Sequence, residues 1–108
     1  MSVKEEMITL SEKINANPVY IEGEKARAYQ IDLKESGQFQ IVLENGKVEV
    51  VEGTPNDSEV TLILSDKNFS KLLKGDFNTT MGFMTGNLKV EGKMGLALKL
   101  QEIIKHYQ

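Results

Sequence analysis

Side chains that could carry out covalent or metal chemistry are few in this sequence. Cysteine is absent, and the one histidine, His106, stands next to the C-terminal end, where we expect the backbone to fray. Acid–base catalysis needs a base held in a fixed position, and a zinc site needs several histidine or cysteine ligands. The inventory therefore predicts a protein that is not an enzyme and that holds no metal ion and no cofactor.

Phosphate recognition is disfavoured as well. The formal net charge is -3, whereas proteins that bind nucleic acids use lysine and arginine to neutralise phosphates. The glycines of GNLKVEG, residues 86–92, do not have the spacing of a phosphate-binding loop that leads into a helix. We therefore expect no nucleic-acid partner.

The most distinctive stretch of the sequence is apolar. Residues 83–101, FMTGNLKVEGKMGLALKLQ, place a short strand pattern between two apolar segments that contain glycines. This stretch contains no group suited to covalent chemistry. Small-molecule sites are lined mostly by apolar side chains, so the stretch favours binding an apolar ligand over converting one.

Alternation of apolar and polar residues predicts a sheet. Residues 28–33, 38–44 and 47–50 alternate in this way, and Asn45-Gly46 is a strong hairpin signal between the last two segments. We expect these three strands to form an antiparallel meander with one face in water. Two further strands are predicted at residues 59–64 and 87–91.

Apolar residues spaced by three and four positions predict the helices. One covers residues 3–16, and a second begins at a cap formed by Ser65 or Asp66 and ends at Gly75. Residues 76–86 are predicted to form a short, irregular helix, because Gly82 in its interior lowers helix stability by about 1 kcal/mol relative to alanine. Such a helix, rich in methionine, is typical of a deformable wall over a pocket.

The last predicted helix, residues 93–105, has more apolar surface than it needs to cover a sheet. Met94 and Leu98 lie roughly a quarter turn or more away from its main apolar stripe. The additional apolar arc predicts a partner for this helix, which is a cavity, a second subunit or a membrane surface.

Residues 83–101 resemble the C-terminal hallmark of the sterol carrier protein 2 family: phenylalanine, methionine, a small residue and glycine, then a strand, a glycine and an MGLA-type helix. INANP, the three-strand meander and SDKNFSKLLKG follow the family order, so the resemblance covers nearly the whole chain. It implies a single α+β domain over residues 1–108, in which helices pack on one face of a five-stranded, mainly antiparallel sheet. It also implies a hydrophobic tunnel that binds fatty acids, acyl-CoA, phospholipids or sterols without catalysis.

The resemblance further implies which residues contact the lipid. The tunnel is expected to have strand residues on one side, a flexible wall formed by the irregular helix, and the terminal helix on another side. These groups are, in the same order, Phe39, Ile41 and Val50; Phe77, Met81, Phe83 and Met84; and Met94, Leu98, Leu100 and Ile104.

The sequence departs from the family at its end. Members in peroxisomes end in a tripeptide similar to serine-lysine-leucine, whereas this sequence ends His106-Tyr107-Gln108. The first residues also lack the basic start and apolar run of a secretory signal. We therefore predict a cytoplasmic protein, and we favour fatty acyl chains, phospholipid or a prenoid over sterol.

Two kinds of partner follow from these patterns. The first is a lipid, with Lys93 or Lys99 near its headgroup, together with transient contact with a membrane surface. The second is another protein, because the broad apolar face of the terminal helix is also suited to a homodimer. The alternative function is thus a homodimerising or accessory interaction module without a physiological lipid ligand.

Overall fold

A five-stranded sheet and four α-helices make up the computed structural model, which describes residues 2–108. The predicted strands and helices are confirmed, and the structure adds a short 3-10 helix, Pro18–Ile21. No helix within the described residues is long and apolar enough to span a membrane. The elements are α1 (Val3–Ala16), β1 (Arg27–Leu33), β2 (Gly37–Glu44), β3 (Lys47–Glu52), β4 (Ser58–Leu64), α2 (Asp66–Leu73), α3 (Thr79–Thr85), β5 (Leu88–Gly92) and α4 (Met94–Lys105).

The strand order in the sheet is β3-β2-β1-β4-β5. All neighbouring pairs are antiparallel except β1 and β4, which run parallel. The sheet is therefore mixed, as the expectation of a mainly antiparallel sheet allows. The parallel pair arises because the chain crosses from the edge strand β3 to the far side of β1 before β4 begins.

One face of the sheet carries the hydrophobic core under α1, α2 and α4. On β1 the inward side chains include Tyr29 and Ile31, and on β2 they include Phe39 and Ile41, all of which are buried. These positions differ by two along each strand, so they point to the same face. The predicted alternation therefore gives the correct inward residues.

The opposite face of the meander was expected to lie in water, but part of it is buried. Gln30 is 5% exposed and Gln40 is 0% exposed, and Asn56 of the loop that follows β3 contacts Gln40. The side-chain amide of Gln40 donates to Gln30 Oε1 and to the Asn56 carbonyl, each at 2.8 Å. Its oxygen accepts from the Asn56 backbone N–H at 3.2 Å. Because the Gln40 amide is paired with protein groups, its burial costs little free energy.

The start of α1 is fixed by its cap. The Ser2 hydroxyl accepts from the Glu5 backbone N–H at 3.2 Å, and the Glu5 carboxylate accepts from the Ser2 N–H at 3.1 Å. This reciprocal pair satisfies backbone donors that a helix N-terminus leaves free. The hydrogen bonds from Ser2 lower the pKa of Glu5 below its usual value.

The C-terminal residues, where fraying was expected, contact the rest of the molecule through their side chains. His106 stacks on Tyr20 with ring centroids 4.1 Å apart, and the Tyr107 hydroxyl donates to the Asn17 carbonyl at 2.7 Å. The Gln108 side chain donates to the Leu73 carbonyl at 2.8 Å. The 3-10 helix, which the sequence patterns did not reveal, supplies the partner ring and so anchors the end of α4.

Candidate functional site

A small apolar cavity lies between the sheet and the two longest helices. α1 and α4 line it from one side, β2 and β3 from the other, and Ser11 is its only polar lining residue within the described part of the chain. This is the place where a tunnel was expected. Four of the predicted lipid contacts line the cavity: Ile41, Val50, Leu100 and Ile104.

The cavity is nearly closed. Its volume is about 10 Å³, close to the minimum needed for one water molecule. Sites for small molecules have volumes of about 300–1,000 Å³. The structure therefore contains a packed seam here and not an open tunnel, and an acyl chain can enter only if α1 or α4 moves away from the sheet.

Phe39 is buried on the same face of β2 as Ile41, but it does not line the cavity. It belongs to the contiguous hydrophobic core. Phe39 is therefore part of the core beside the cavity and does not contact the cavity itself.

The predicted flexible wall lies on the outside of the molecule. Met81, Phe83 and Met84 on α3 are 60%, 49% and 76% exposed. Phe77 and Met81 line a separate, open groove of about 250 Å³ between the end of α2 and α3. The structure does not bring these residues together with Ile41 and the other cavity-lining side chains.

Gly82 has a different role from the one expected of it. A Cβ atom at this position would lie 2.3 Å from the Phe77 ring, which therefore packs directly on the glycine backbone. The Asn78 side chain accepts from the Met81 N–H at 2.8 Å and caps the same helix. Gly82 thus permits a close contact between the Phe77 ring and the backbone of α3, and this contact holds α3 in place. A loosely determined helix would lack such a contact.

The broad apolar face of α4 divides into two parts. Met94 is partly buried and packs against the core, whereas Leu98 is 38% exposed. Leu98 is the only large apolar side chain of α4 that is exposed in the described residues. The surface that α4 offers to a partner is therefore small.

Both lysines that were expected near a lipid headgroup already contact carboxylates. Lys93 donates to Glu59 at 2.6 Å, and Lys99 lies 3.0 Å from Glu24. The hydrogen bond from Lys93 lowers the pKa of the Glu59 carboxyl below its usual value. Each lysine thus already has an acidic partner on the surface.

Two polar residues that were not predicted lie on the inward face of β1. The Tyr29 hydroxyl and the Arg27 Nε are buried, and neither has a hydrogen-bond partner among the described residues. The signal for them was present in the sequence, because the alternation that places Tyr29 inward also places Arg27 inward.

Acidic and histidine side chains are spread over the described part of the chain. Within residues 2–108, no group of three or more histidine, aspartate or glutamate side chains is suitably arranged for a metal ion. His106 is stacked on Tyr20. What the described residues form is an apolar seam between the sheet, α1 and α4.

Comparison with protein families gives a match over most of the chain. The profile of the SCP-2 sterol transfer family matches residues 8–105. The chain is 42% identical to hydroxysteroid dehydrogenase-like protein 2 of Xenopus tropicalis over 72 residues, which are 66% of this chain and 17% of that protein. It is 36% identical to human sterol carrier protein 2 over 61 residues, 56% of this chain and 11% of that protein. The chain thus spans less than a fifth of these relatives' length.

Solved structures of sterol carrier proteins have the same fold as this chain. The sterol carrier protein domain 2 of Helicoverpa armigera has a TM-score of 0.73 at 25% identity, with 95% of this chain and 85% of that chain covered. Sterol carrier protein 2 of Yarrowia lipolytica has a TM-score of 0.69 at 26% identity, with 94% and 88% covered. The palmitate complex of Aedes aegypti sterol carrier protein-2 has a TM-score of 0.73 at 20% identity, with both chains covered completely, which shows the fold alone.

The contact between Phe77 and Gly82 leads to a stability prediction. We expect Gly82→Ala to lower the free energy of unfolding by about 1–3 kcal/mol, because the new methyl group overpacks against the Phe77 ring. Gly95→Ala in α4 is the matched control, since its Cβ would meet no atom within 4 Å. Alanine there should leave stability unchanged or raise it by up to about 1 kcal/mol. Urea denaturation measures the free energy of unfolding of both variants. Equal effects of the two substitutions would contradict the close contact assigned to Gly82.

Proposed function

This chain belongs to the SCP-2 sterol transfer family, and from that premise we propose that it binds the apolar chain of a lipid and carries or presents it without chemical change. The apolar cavity between the sheet, α1 and α4 is the observation that carries the proposal. Its lining comes from four separate elements, so displacement of either helix would widen it. The proposed ligand site consists of Ile41, Val50, Leu100 and Ile104.

The energetics permit such a site to be closed when empty. An unfilled space of about 300 Å³ would cost roughly 7 kcal/mol at about 24 cal/mol per Å³. Burying roughly 14 methylenes of a sixteen-carbon chain at about 0.8 kcal/mol each provides about 11 kcal/mol. Micromolar affinity corresponds to about 8 kcal/mol. The free energy gained by burying a long acyl chain is therefore larger than the cost of opening the space, by about 4 kcal/mol before other contacts with the ligand are counted.

The relatives support an acyl ligand. The Aedes aegypti protein that shares this fold is in complex with palmitate, a C16 fatty acid. Human sterol carrier protein 2 is named for sterol. For the present chain we favour a linear acyl chain, because the narrow seam between helices and sheet opens more readily for a flexible chain than for a rigid ring system.

We place a transient membrane contact on α3, from which lipid would be collected. Residues 77–88 contain no charged side chain, and three apolar side chains of α3 project into solvent. A Met-rich, uncharged surface of this kind suits the boundary between headgroups and acyl chains. The exposed side chains are Met81, Phe83 and Met84.

The interaction module that was considered as an alternative receives less support from α4. Leu98 is the exposed apolar side chain that α4 offers, whereas Met94 is occupied in the core. A stable protein interface buries about 800 Å² on each partner. One partly exposed leucine provides little of that area.

Val50 provides the most direct test of the lipid site. We expect Val50→Phe to lower the affinity for a fatty acid at least about tenfold, because overpacking of about 1–3 kcal/mol between the helices and the sheet opposes entry of the acyl chain. The affinity is measured by displacement of a bound fluorescent fatty acid. Val51→Phe is the matched control, since the neighbouring residue on the same edge strand points to the other face. Urea denaturation verifies that both variants fold. Binding that is equal in both variants, or absent from the wild-type protein, would contradict the proposal.

Phe83 tests the membrane contact. Phe83→Glu should reduce co-sedimentation with phosphatidylcholine vesicles several-fold, because a carboxylate does not enter the apolar part of the interface. Ile8→Glu is the control, since Ile8 is 39% exposed on α1 and introduces the same charge elsewhere. Equal losses in both variants would show that net charge, and not α3, determines vesicle binding.

A further inference from the structure

Two exposed methionines form the outermost part of α3. Met84 is 76% exposed and Met81 is 60% exposed, more than any other large apolar side chain among residues 2–108. The two are three positions apart, so they lie side by side on one face of the helix. Thr79 and Gly82 are buried on the opposite face. The thioether sulfur atoms of Met81 and Met84 are therefore accessible to small molecules in solution.

The other two methionines in the described part of the chain are shielded. Met7 on α1 is 1% exposed, and Met94 on α4 is partly buried against the hydrophobic core. Cysteine is absent from the sequence, so no thiol competes with the methionines for an oxidant. The thioethers of Met81 and Met84 are therefore the sulfur atoms of residues 2–108 that an oxidant in solution reaches most easily.

Methionine at these two positions adds a chemical property that leucine lacks. Leucine and methionine have similar helix propensities, and both side chains gain free energy on leaving water. Leucine would thus give α3 the same apolar surface for a membrane contact. A thioether, in contrast, is converted by peroxides into a polar sulfoxide, and methionine sulfoxide reductases reverse the reaction. The apolar surface of α3 is therefore one that oxidation can remove and reduction can restore.

The contacts that hold α3 on the molecule do not involve these thioethers. The Phe77 ring packs on the backbone at Gly82. The Thr79 N–H donates to Gln101 Oε1 of α4 at 2.5 Å. A polar oxygen on either exposed sulfur would thus change the surface of α3 and leave its attachment intact. The same oxygen on Met7 would lie in the hydrophobic core.

We propose that Met81 and Met84 are sites of oxidation by hydrogen peroxide, and that their oxidation releases α3 from the membrane surface. This inference rests on the membrane contact proposed for α3 and specifies how that contact is regulated. The thioether sulfur attacks one peroxide oxygen, the O–O bond breaks and an S–O bond forms. The proton of the transferred oxygen passes to the departing hydroxide, which leaves as water. The sulfur is oxidised to a sulfoxide and the peroxide is reduced. A sulfoxide keeps its hydrogen bonds to water and does not enter the apolar part of the interface.

Peroxide treatment followed by vesicle sedimentation tests this proposal. The protein is treated with hydrogen peroxide, catalase removes the excess, and peptide mass spectrometry locates the added oxygen atoms. We expect Met81 and Met84 to be oxidised at least about tenfold faster than Met7, because oxidation follows exposure. We expect the affinity of the oxidised protein for phosphatidylcholine vesicles to fall at least about tenfold, because both side chains lose their apolar contribution. Urea denaturation should show that the oxidised protein remains folded.

Variants then assign the loss of vesicle binding to α3. The measured quantity is the ratio of vesicle affinities of the same protein before and after peroxide. Met81→Leu combined with Met84→Leu removes both exposed thioethers, so peroxide should leave this ratio close to one. Met94→Leu is the matched control, since it removes a methionine outside α3 and should show the same loss as the wild-type protein. Methionine sulfoxide reductases should restore vesicle binding to the oxidised wild-type protein.

The possible results are distinguishable. If the untreated wild-type protein does not sediment with vesicles, the proposed membrane contact fails and this inference fails with it. If Met81 and Met84 are oxidised and vesicle affinity is unchanged, the membrane contact stands and its regulation by oxidation is refuted. An equal loss in the double leucine variant also refutes it, because the loss then arises elsewhere. Oxidation of Met7 as fast as that of Met81, or reduction of the sulfoxides without recovery of binding, refutes it as well.

Discussion

The structure depends on one constraint, which is that the space between the helices and the sheet cannot remain empty. A void the size of a lipid site would cost about 7 kcal/mol, and the whole stability of a small domain is about 5–15 kcal/mol. The protein meets this constraint by closing α1 and α4 onto the sheet until about 10 Å³ is left. The side chains that a ligand would contact, such as Ile41 and Leu100, form the core in its absence.

The two faces of the sheet differ in whether their buried polar groups have hydrogen-bond partners. On the outer face, Gln30 and Gln40 are buried but paired, so their burial serves the fold. On the inner face, the Tyr29 hydroxyl and the Arg27 Nε are buried without a hydrogen-bond partner among the described residues. A polar group with no partner in a packed core lowers stability, whereas one that meets a ligand contributes to affinity.

Much of the fold could be predicted from local patterns, because alternation and helical spacing report which face of an element is buried. The Asn45-Gly46 turn and the inward positions of β1 and β2 are examples. Burial of Gln40 could not be predicted, since it depends on where residues 53–57 fold after the chain crosses the sheet. The close contact at Gly82 likewise depends on the approach of a ring from outside the helix.

The candidate site was predictable only in part, for a similar reason. The prediction is right for apolar residues on β2, β3 and α4 that line the cavity, because the local sequence pattern determines which face of a strand or helix is buried. Met81 and Met84 are exposed because α3 packs with its other side on the molecule, which composition does not reveal. The alternation of β1 did contain the signal for Arg27, as a charged residue at an inward position.

The most direct test of this account is to observe where an acyl chain lies when it is bound. Nuclear Overhauser effects between 13C-labelled dodecanoic acid and the methyl groups of the protein would report this. The account predicts contacts from the chain to the methyl groups of Ile41, Leu100 and Ile104. Contacts confined to the methyl groups of Met81 and Met84, with none to the three cavity residues, would contradict it.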